Sequence, residues 1–166
     1  MDIFEFALKK ERNAEQYYRQ LAEKTDNAGL KNVLGMLADE EVHHCRVIEA
    51  IRAQTPIQIT QTPVLKHAKE VFSKMKDSGE TFEFDVSEVD LYQKACDIEA
   101  AAKQYYLGKA QEVQDTERKA LLMRLAEEEN KHLILVQGLR DFVAQAESFL
   151  ENAEFYHFDD YVEGEF

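Results

Sequence analysis

The chain repeats itself at an interval of 88 residues, the difference between positions 41 and 129, and this repeat restricts the fold more than any other feature. The stretch from Leu37 to His44 returns, without a gap, as the stretch from Leu125 to His132. Other residues that recur at the same interval are Ala7/Ala95, Glu11/Glu99, Ala14/Ala102, Tyr17/Tyr105, Tyr18/Tyr106 and Leu34/Leu122. The repeat predicts two equivalent structural units.

Each copy has the apolar spacing of a helix that faces a core. Around the first stretch, the residues spaced three and four apart are Leu30, Leu34, Leu37, Glu41, His44, Ile48 and Ile51. Such residues share one helix face, so Glu41 and His44 interrupt an apolar stripe. An unpaired buried carboxylate costs several kcal/mol, which means that this position needs a partner.

Two helical hairpins, 3–53 and 87–140, account for the repeat. We expect helices over 3–24 and 29–53, a third helix that begins near Ser87, which would be its N-cap, and a fourth that begins near Asp115. The segment 54–86 contains both prolines and is too long for a tight turn, so we expect a crossover that contains a short helix from Val64 to Met75. The predicted fold is an all-α four-helix bundle with a long crossover between its second and third helices.

The C-terminal part is less regular. Apolar periodicity continues past Gly138, which predicts a kink there or an extra C-terminal helical segment. We therefore assign residues 1–152 to the bundle and residues 153–166 to an acidic, aromatic tail. This tail either docks through its aromatic side chains or frays, and the sequence leaves both alternatives open.

The first and third helices also place a glutamate among core-facing residues. Four carboxylates and two imidazoles from four helices match the donor set of ferritin-like di-iron and di-manganese proteins. The predicted metal ligands are Glu11, Glu41, His44, Glu99, Glu129 and His132. We expect each ion to receive one histidine and one terminal glutamate, with Glu41 and Glu129 as bridges. Two divalent ions would balance four glutamates. The alternative is a bundle that keeps these residues without metal.

The donor chemistry and the tyrosines refine this prediction. Carboxylate and imidazole favour two iron ions, with manganese or a mixed pair as the alternative. Tyr18 and Tyr106 follow Glu11 and Glu99 by two helical turns on the same face. Either they donate hydrogen bonds to the ligands or they are core aromatics. We expect the remaining histidines to lie on the surface: His43, His67 and His157.

Composition restricts the partners. A net charge of −13 disfavours nucleic acid and anionic membranes. The two cysteines, Cys45 and Cys96, are too few for a cysteine-built metal site and suit a reducing compartment. No run is long and apolar enough to span a membrane, and the N-terminus does not resemble a signal peptide. We expect a soluble, cytoplasmic protein.

Over residues 3–150 the sequence resembles the rubrerythrin (erythrin) group of the ferritin-like superfamily. The motifs that carry the resemblance run from Ala7 to Tyr18, Leu37 to His44, Ala95 to Tyr106 and Leu125 to His132. The resemblance implies a di-iron site, redox chemistry with hydrogen peroxide or dioxygen, and a homodimer. Iron storage with ferroxidase activity, or a metal-dependent sensor or binding bundle without turnover, are the alternative functions.

Two departures from the rubrerythrin pattern modify what the resemblance implies. The sequence has no counterpart of the cysteine-ligated iron domain of full-length rubrerythrins, so electrons would come from a separate, rubredoxin-like donor. Peroxidase-type rubrerythrins carry a further glutamate three residues after the third-helix ligand, where this chain has Ala102. We expect the irons to keep the same protein ligands in both oxidation states, and the alanines at 14 and 102 to leave a small cavity beside them.

Overall fold

The computed structural model describes residues 2–152 and 154–161, without the side chains of residues 159 and 161. This part of the chain contains no strand, and the prediction of an all-α bundle is confirmed. The helices are α1 (Ile3–Lys24), α2 (Ala28–Ala53), α3 (Val64–Ser78), α4 (Val86–Glu112), α5 (Thr116–Ala144), α6 (Ala146–Glu151) and a 3-10 helix (Glu154–Tyr161). None of these helices is long and apolar enough to cross a membrane.

The four long helices begin at side chains that cap them. Asp2, Asn27, Asp85 and Asp115 each accept hydrogen bonds from backbone N–H groups of the first helical turn, which would otherwise lack partners. The prediction that Ser87 caps α4 was wrong. Asp85 forms a reciprocal capping box with Glu88 instead, because Glu88 stands at the third helical position, where its carboxylate reaches the Asp85 backbone N–H.

Two antiparallel hairpins, α1–α2 and α4–α5, form the bundle. Their connections, residues 25–27 and 113–115, are short, so each pair packs along its full length. The two hairpins meet through α1 against α4 and α2 against α5, and these contacts are much sparser. The least tightly packed seam between the hairpins is therefore the natural place for a cavity.

The crossover wraps around one end of the bundle. It is irregular up to Pro63 and then forms α3, which ends at Ser78 rather than at the predicted Met75. Phe72 of α3 is fully buried, and its ring contacts the rings of Phe142 and Phe149, each with a centroid separation of 5.0 Å. Aromatic packing thus fixes the crossover to α5 and α6.

The predicted C-terminal helical segment is present as α6, but the predicted break at Gly138 was placed too early. Helix α5 continues through Gly138, and the chain breaks at Gln145. A Cβ at Gly138 would overlap the ring of Phe158, which packs there. The described part of the tail docks, with Phe155 and Phe158 buried. Residues 153 and 162–166 of the predicted tail lie outside the described residues, and the division at residue 152 stays a prediction.

A polar layer divides the core. One apolar cluster contains Leu34, Leu37, Phe72 and Phe142, and a second contains Val47, Ile48, Tyr106 and Leu125 at the opposite end. Between them, each of the four long helices contributes a glutamate at the same level. The two halves of the core therefore hold a layer of buried, ionisable side chains between them.

Candidate metal centre

All six predicted ligands lie in this polar layer. None is more than 1% exposed. Glu41 with His44 on α2, and Glu129 with His132 on α5, are three residues apart, so each pair points to the same side of its helix. Glu11 of α1 and Glu99 of α4 face them. Apolar residues on the same helix faces pack into the core, and the glutamates and histidines are buried because they lie on those faces.

The two histidines face carboxylates through the same ring nitrogen. His44 Nδ1 lies 3.0 Å from Glu129 Oε1, and His132 Nδ1 lies 3.2 Å from Glu41 Oε1. The second oxygens of the same carboxylates point to the other imidazole: Glu41 Oε2 is 3.5 Å from His44 Nδ1 and Glu129 Oε2 is 3.5 Å from His132 Nδ1. Each of these glutamates therefore spans both histidines, as a bridging ligand would.

Glu11 and Glu99 each approach one histidine only. Glu11 Oε2 is 3.4 Å from His44 Nδ1, and Glu99 Oε1 is 3.6 Å from His132 Nδ1. The imidazole rings stack with a centroid separation of 5.3 Å and an interplanar angle of 12°. We call Glu11 with His44 the first half-site, and Glu99 with His132 the second half-site. Glu41 and Glu129 lie between the two half-sites.

Tyr18 and Tyr106 cross between the hairpins. The hydroxyl of Tyr18 donates a hydrogen bond to Glu99, and that of Tyr106 donates one to Glu11. Burial, followed by the nearby glutamate charges, raises the pKa of both phenols well above the usual value, so they remain donors. Of the two alternatives for these tyrosines, the structure favours hydrogen bonding to the terminal carboxylates. Each tyrosine ties its own hairpin to the opposite one.

Without metal, protons balance the charges of this layer. Burial, together with repulsion by Glu11, raises the pKa of Glu41 and of Glu129 well above its usual value. Burial alone would also raise the pKa of Glu11 and Glu99, but hydrogen bonds within the layer outweigh it and lower both. Burial acts to lower the pKa of the two histidines, yet the surrounding carboxylates raise it. In the metal-free layer, bound protons thus neutralise the glutamate charges that metal ions would neutralise when present.

The residues present fit a pair of metal ions. Glu41, His44, Glu129 and His132 each offer a ligand atom within 4.8 Å of the others. Three carboxylate oxygens in the layer, Glu11 Oε2, Glu41 Oε2 and Glu129 Oε2, are buried and have no hydrogen-bond partner among the described residues. Buried, unsatisfied carboxylate oxygens are costly unless a cation or proton meets them. Carboxylate and imidazole together suit iron or manganese.

Comparison of the sequence with protein-family models identifies the family of this helical bundle. The rubrerythrin family model matches residues 2–140. The chain belongs to the rubrerythrin family. Searches among curated proteins and among solved structures gave no significant match. The matched region contains all six predicted ligands and the two tyrosines that donate hydrogen bonds to them, and it ends before the break at Gln145.

A cavity connects the centre of this rubrerythrin-family bundle to the surface. It lies between α1 and α4, has a volume of about 380 Å³, and is lined by all four glutamates of the layer. Its walls include Ala14 and Ala102, which confirms the predicted cavity beside the centre, and Lys94 lies among its lining residues. Methyl groups stand where larger side chains would close the passage.

The sequence prediction missed a second set of buried charges. Glu128 and Lys131 on α5 are each 2% exposed, and Glu40 on α2 is largely buried behind His132. The repeat carried a usable signal, because Glu40 and Glu128 occupy equivalent positions. Among the histidines predicted on the surface, His157 is exposed, whereas His43 and His67 are partly buried.

Proposed function

We propose that this rubrerythrin-family protein is a di-iron carboxylate oxidoreductase that reduces hydrogen peroxide or dioxygen. Manganese or a mixed metal pair is the alternative composition. Glu11, Glu41, His44, Glu99, Glu129 and His132 would hold the two ions. A separate, rubredoxin-like protein would supply the electrons, and two chains would form a homodimer. Two free cysteines suit a reducing compartment such as the cytoplasm.

The cavity between α1 and α4 is the observation that supports turnover rather than a purely structural metal site. Structural metal sites are closed, whereas catalytic sites keep a position open to a reactant. The cavity reaches the four carboxylates past Ala14 and Ala102, and its volume of about 380 Å³ is far more than one peroxide molecule needs. A small oxidant could thus reach the centre without unfolding of the bundle.

Reduction of one hydrogen peroxide molecule to two water molecules consumes two electrons and two protons. Two metal ions that each change oxidation state by one would supply the electrons. The tyrosine hydroxyls hold the carboxylates of Glu99 and Glu11 in place through cross-hairpin hydrogen bonds. The methyl groups of Ala14 and Ala102 keep the passage open. The chain thus positions its donors rigidly and leaves one side of the centre accessible.

A single-turnover experiment tests this proposal. The ferrous protein is mixed anaerobically with peroxide, or separately with dioxygen, and oxidation is followed by absorbance. We expect stoichiometric oxidation in both cases and, with a reducing donor present, continued consumption. Ferrous protein that contains two irons per chain, but reacts no faster than free ferrous ion with either oxidant, would contradict the proposal.

Variants at Ala102 test the role of the cavity. Ala102→Leu should narrow the passage and slow oxidation by at least ~10-fold, since a displaced or excluded reactant loses productive geometry. Ala100→Leu is the matched control, because Ala100 lies on the same helix but outside the cavity lining. Ala102→Glu should add a ligand and shift preference towards peroxide. Unchanged preference despite iron ligation by the new carboxylate would mean that this position does not select the oxidant.

A further inference from the structure

The repeat places one glutamate directly before each candidate bridging ligand. Glu40 precedes Glu41, Glu128 precedes Glu129, and both are acidic residues at equivalent positions of the two hairpins. If the two hairpins had identical contacts, each of these glutamates would lie beside Nε2 of the histidine in the opposite hairpin, on the side of the ring that faces away from the polar layer. The structure shows this arrangement on one side only.

Glu40 lies behind His132. Its Oε1 is 3.5 Å from His132 Nε2, the ring nitrogen that points away from the polar layer. Both atoms are buried, and among the described residues neither has a hydrogen-bond partner, which leaves the ion-pair contact between the two. A carboxylate in this place holds the ring orientation and the proton on Nε2, which leaves Nδ1 free to bind a metal ion.

Glu128 makes different contacts. Its Oε2 accepts a hydrogen bond of 3.1 Å from the backbone N–H of Thr62 in the crossover, and its Oε1 lies 3.8 Å from Lys131 Nζ. Among the described residues, Glu128 has no ion-pair contact with His44, whose contacts of this kind are all with Glu11, Glu41 and Glu129.

Two features of the chain explain the difference. The crossover passes Glu128 but has no equivalent beside Glu40, because only one connection joins the hairpins. The repeat position equivalent to Lys131 is His43, so the first hairpin has no lysine three residues after Glu40. Both features hold Glu128 towards the crossover.

We propose that the two half-sites differ in metal affinity. The half-site of His132, whose ring is contacted by Glu40, binds a metal ion more tightly and is filled first, and the half-site of His44 binds an ion more weakly. This inference rests on the metal centre of the proposed function. Glu40 is a positioning residue in this scheme, since it acts through His132 and not on the metal itself. Carboxylates of this kind change metal affinity by ~10–100-fold. One ion would then be the more exchangeable, which allows a mixed metal pair.

Anaerobic titration of the metal-free full chain with Co²⁺ tests the inference, with calorimetry and visible absorbance as readouts. We expect two binding steps at least ~10-fold apart in the wild type. Glu40→Gln should weaken the tighter step by ~10–100-fold and leave the weaker step unchanged. Glu128→Gln is the matched control at the equivalent repeat position, and it should leave the tighter step unchanged.

The histidine variants identify which half-site fills first and do not depend on Glu40. His44→Ala should keep the tighter binding step and lose the weaker one. His132→Ala should lose the tighter binding step and keep the weaker one. NMR of the protein with one equivalent of Co²⁺ should show the shifted, exchangeable imidazole proton of His132, which His44→Ala keeps and His132→Ala loses. Two equal steps in the wild type, an unchanged tighter step in Glu40→Gln, or loss of the tighter step in His44→Ala would overturn inequivalence alone. No uptake of metal would overturn the proposed function as well.

Discussion

The two hairpins of this bundle are alike at the centre and different around it. Each contributes one glutamate from its first helix and one glutamate–histidine pair from its second, and each sends a tyrosine across to the opposite hairpin. Outside that layer, the segments that occur only once in the chain make the two hairpins different. Helix α6 and the 3-10 helix pack on α5 of the second hairpin and on α3, whereas α3 itself lies against both α2 and α5.

Gly138 illustrates the difference. The equivalent residue in the first hairpin is Ala50, which has a side chain. At Gly138 a Cβ would overlap the ring of Phe158. Glu40 and Glu128 differ for the same reason, since the crossover reaches only Glu128. The comparison shows that a duplicated sequence keeps symmetry where both copies need the same chemistry, and loses it where unique segments attach.

The largest expected effect tests the symmetric part. Replacing both candidate bridges, Glu41→Gln with Glu129→Gln, should weaken metal binding by more than ~100-fold, because both ions lose a shared charged ligand. The metal-free variant should melt no lower than the metal-free wild type at pH 8.5, since a neutral amide avoids the cost of a buried charge. Metal titration and thermal melts measure the two effects. A lower melting temperature would show that these carboxylates do not repel each other.

The second prediction concerns pH and the metal-free layer. The raised pKa values of Glu41, Glu129, His44 and His132 mean that the folded chain binds these protons more tightly than the unfolded chain. Their contribution to stability is complete below the ordinary pKa values, 4.5 for glutamate and 6.5 for histidine, and is lost as the pH rises through the folded values. Each pKa unit of difference between the folded and the unfolded state changes the free energy of unfolding by ~1.4 kcal/mol.

Glu11 and Glu99 act in the opposite direction. Their lowered pKa values give stability that is present above pH 4.5 and is lost as the pH falls through the folded values. The metal-free protein should therefore melt at a lower temperature at pH 8.5 than at pH 6, by several degrees. Metal should remove most of this decline, because ions replace the protons. Metal-free protein that becomes more stable between pH 6.5 and pH 8.5 would contradict the assigned protonation.

The third prediction tests the asymmetric part. Gly138→Ala should destabilise the protein by ~1–3 kcal/mol, because the new methyl group overlaps Phe158. Gly35→Ala in the first hairpin is the control, since a Cβ there meets no atom within 4 Å. That variant should stabilise helix α2 by ~0.5–1 kcal/mol. Chemical denaturation measures both. Equal effects would mean that the 3-10 helix does not pack on the second hairpin as described.

The smallest expected effect returns to the tyrosines. Tyr18→Phe and Tyr106→Phe each remove one buried hydrogen bond to a carboxylate, and each should cost ~1 kcal/mol of stability. Because the two contacts are related by the repeat, the two costs should agree within ~0.5 kcal/mol, the usual spread for single hydrogen bonds. Denaturation curves of the single variants and the double variant test this. A large difference would locate asymmetry inside the centre itself.

The sequence predicts the central layer better than its surroundings. Residues three and four apart on a helix share a face whatever the tertiary contacts are, so Glu41, His44 and their repeats could be assigned to the core from spacing alone. The repeat then related the two hairpins. The same reasoning located α6 but not its first residue, because helical periodicity runs through Gly138 without a signal at Gln145.

What the sequence did not reveal depends on contacts between distant segments. Glu40 and Glu128 both lie in acidic runs that resemble a solvated helix face, and only the packed structure separates their contacts. The docking of Phe155 and Phe158 depends on Phe72 in the crossover. The predicted cap at Ser87 failed because Asp85 accepts the hydrogen bond of the Ser87 backbone N–H, so Ser87 already lies in the first helical turn.

The number of metal ions bound per chain tests the central claim most directly. Metal-free protein is titrated anaerobically with ferrous ion, and bound iron is counted after removal of the free ion, with the Glu41→Gln/Glu129→Gln variant as the control. Six donors in two half-sites should bind two ions per chain, and the control should retain few under the same conditions. Retention of many irons per chain would favour iron storage. No retained iron in the wild type would contradict the metal centre itself.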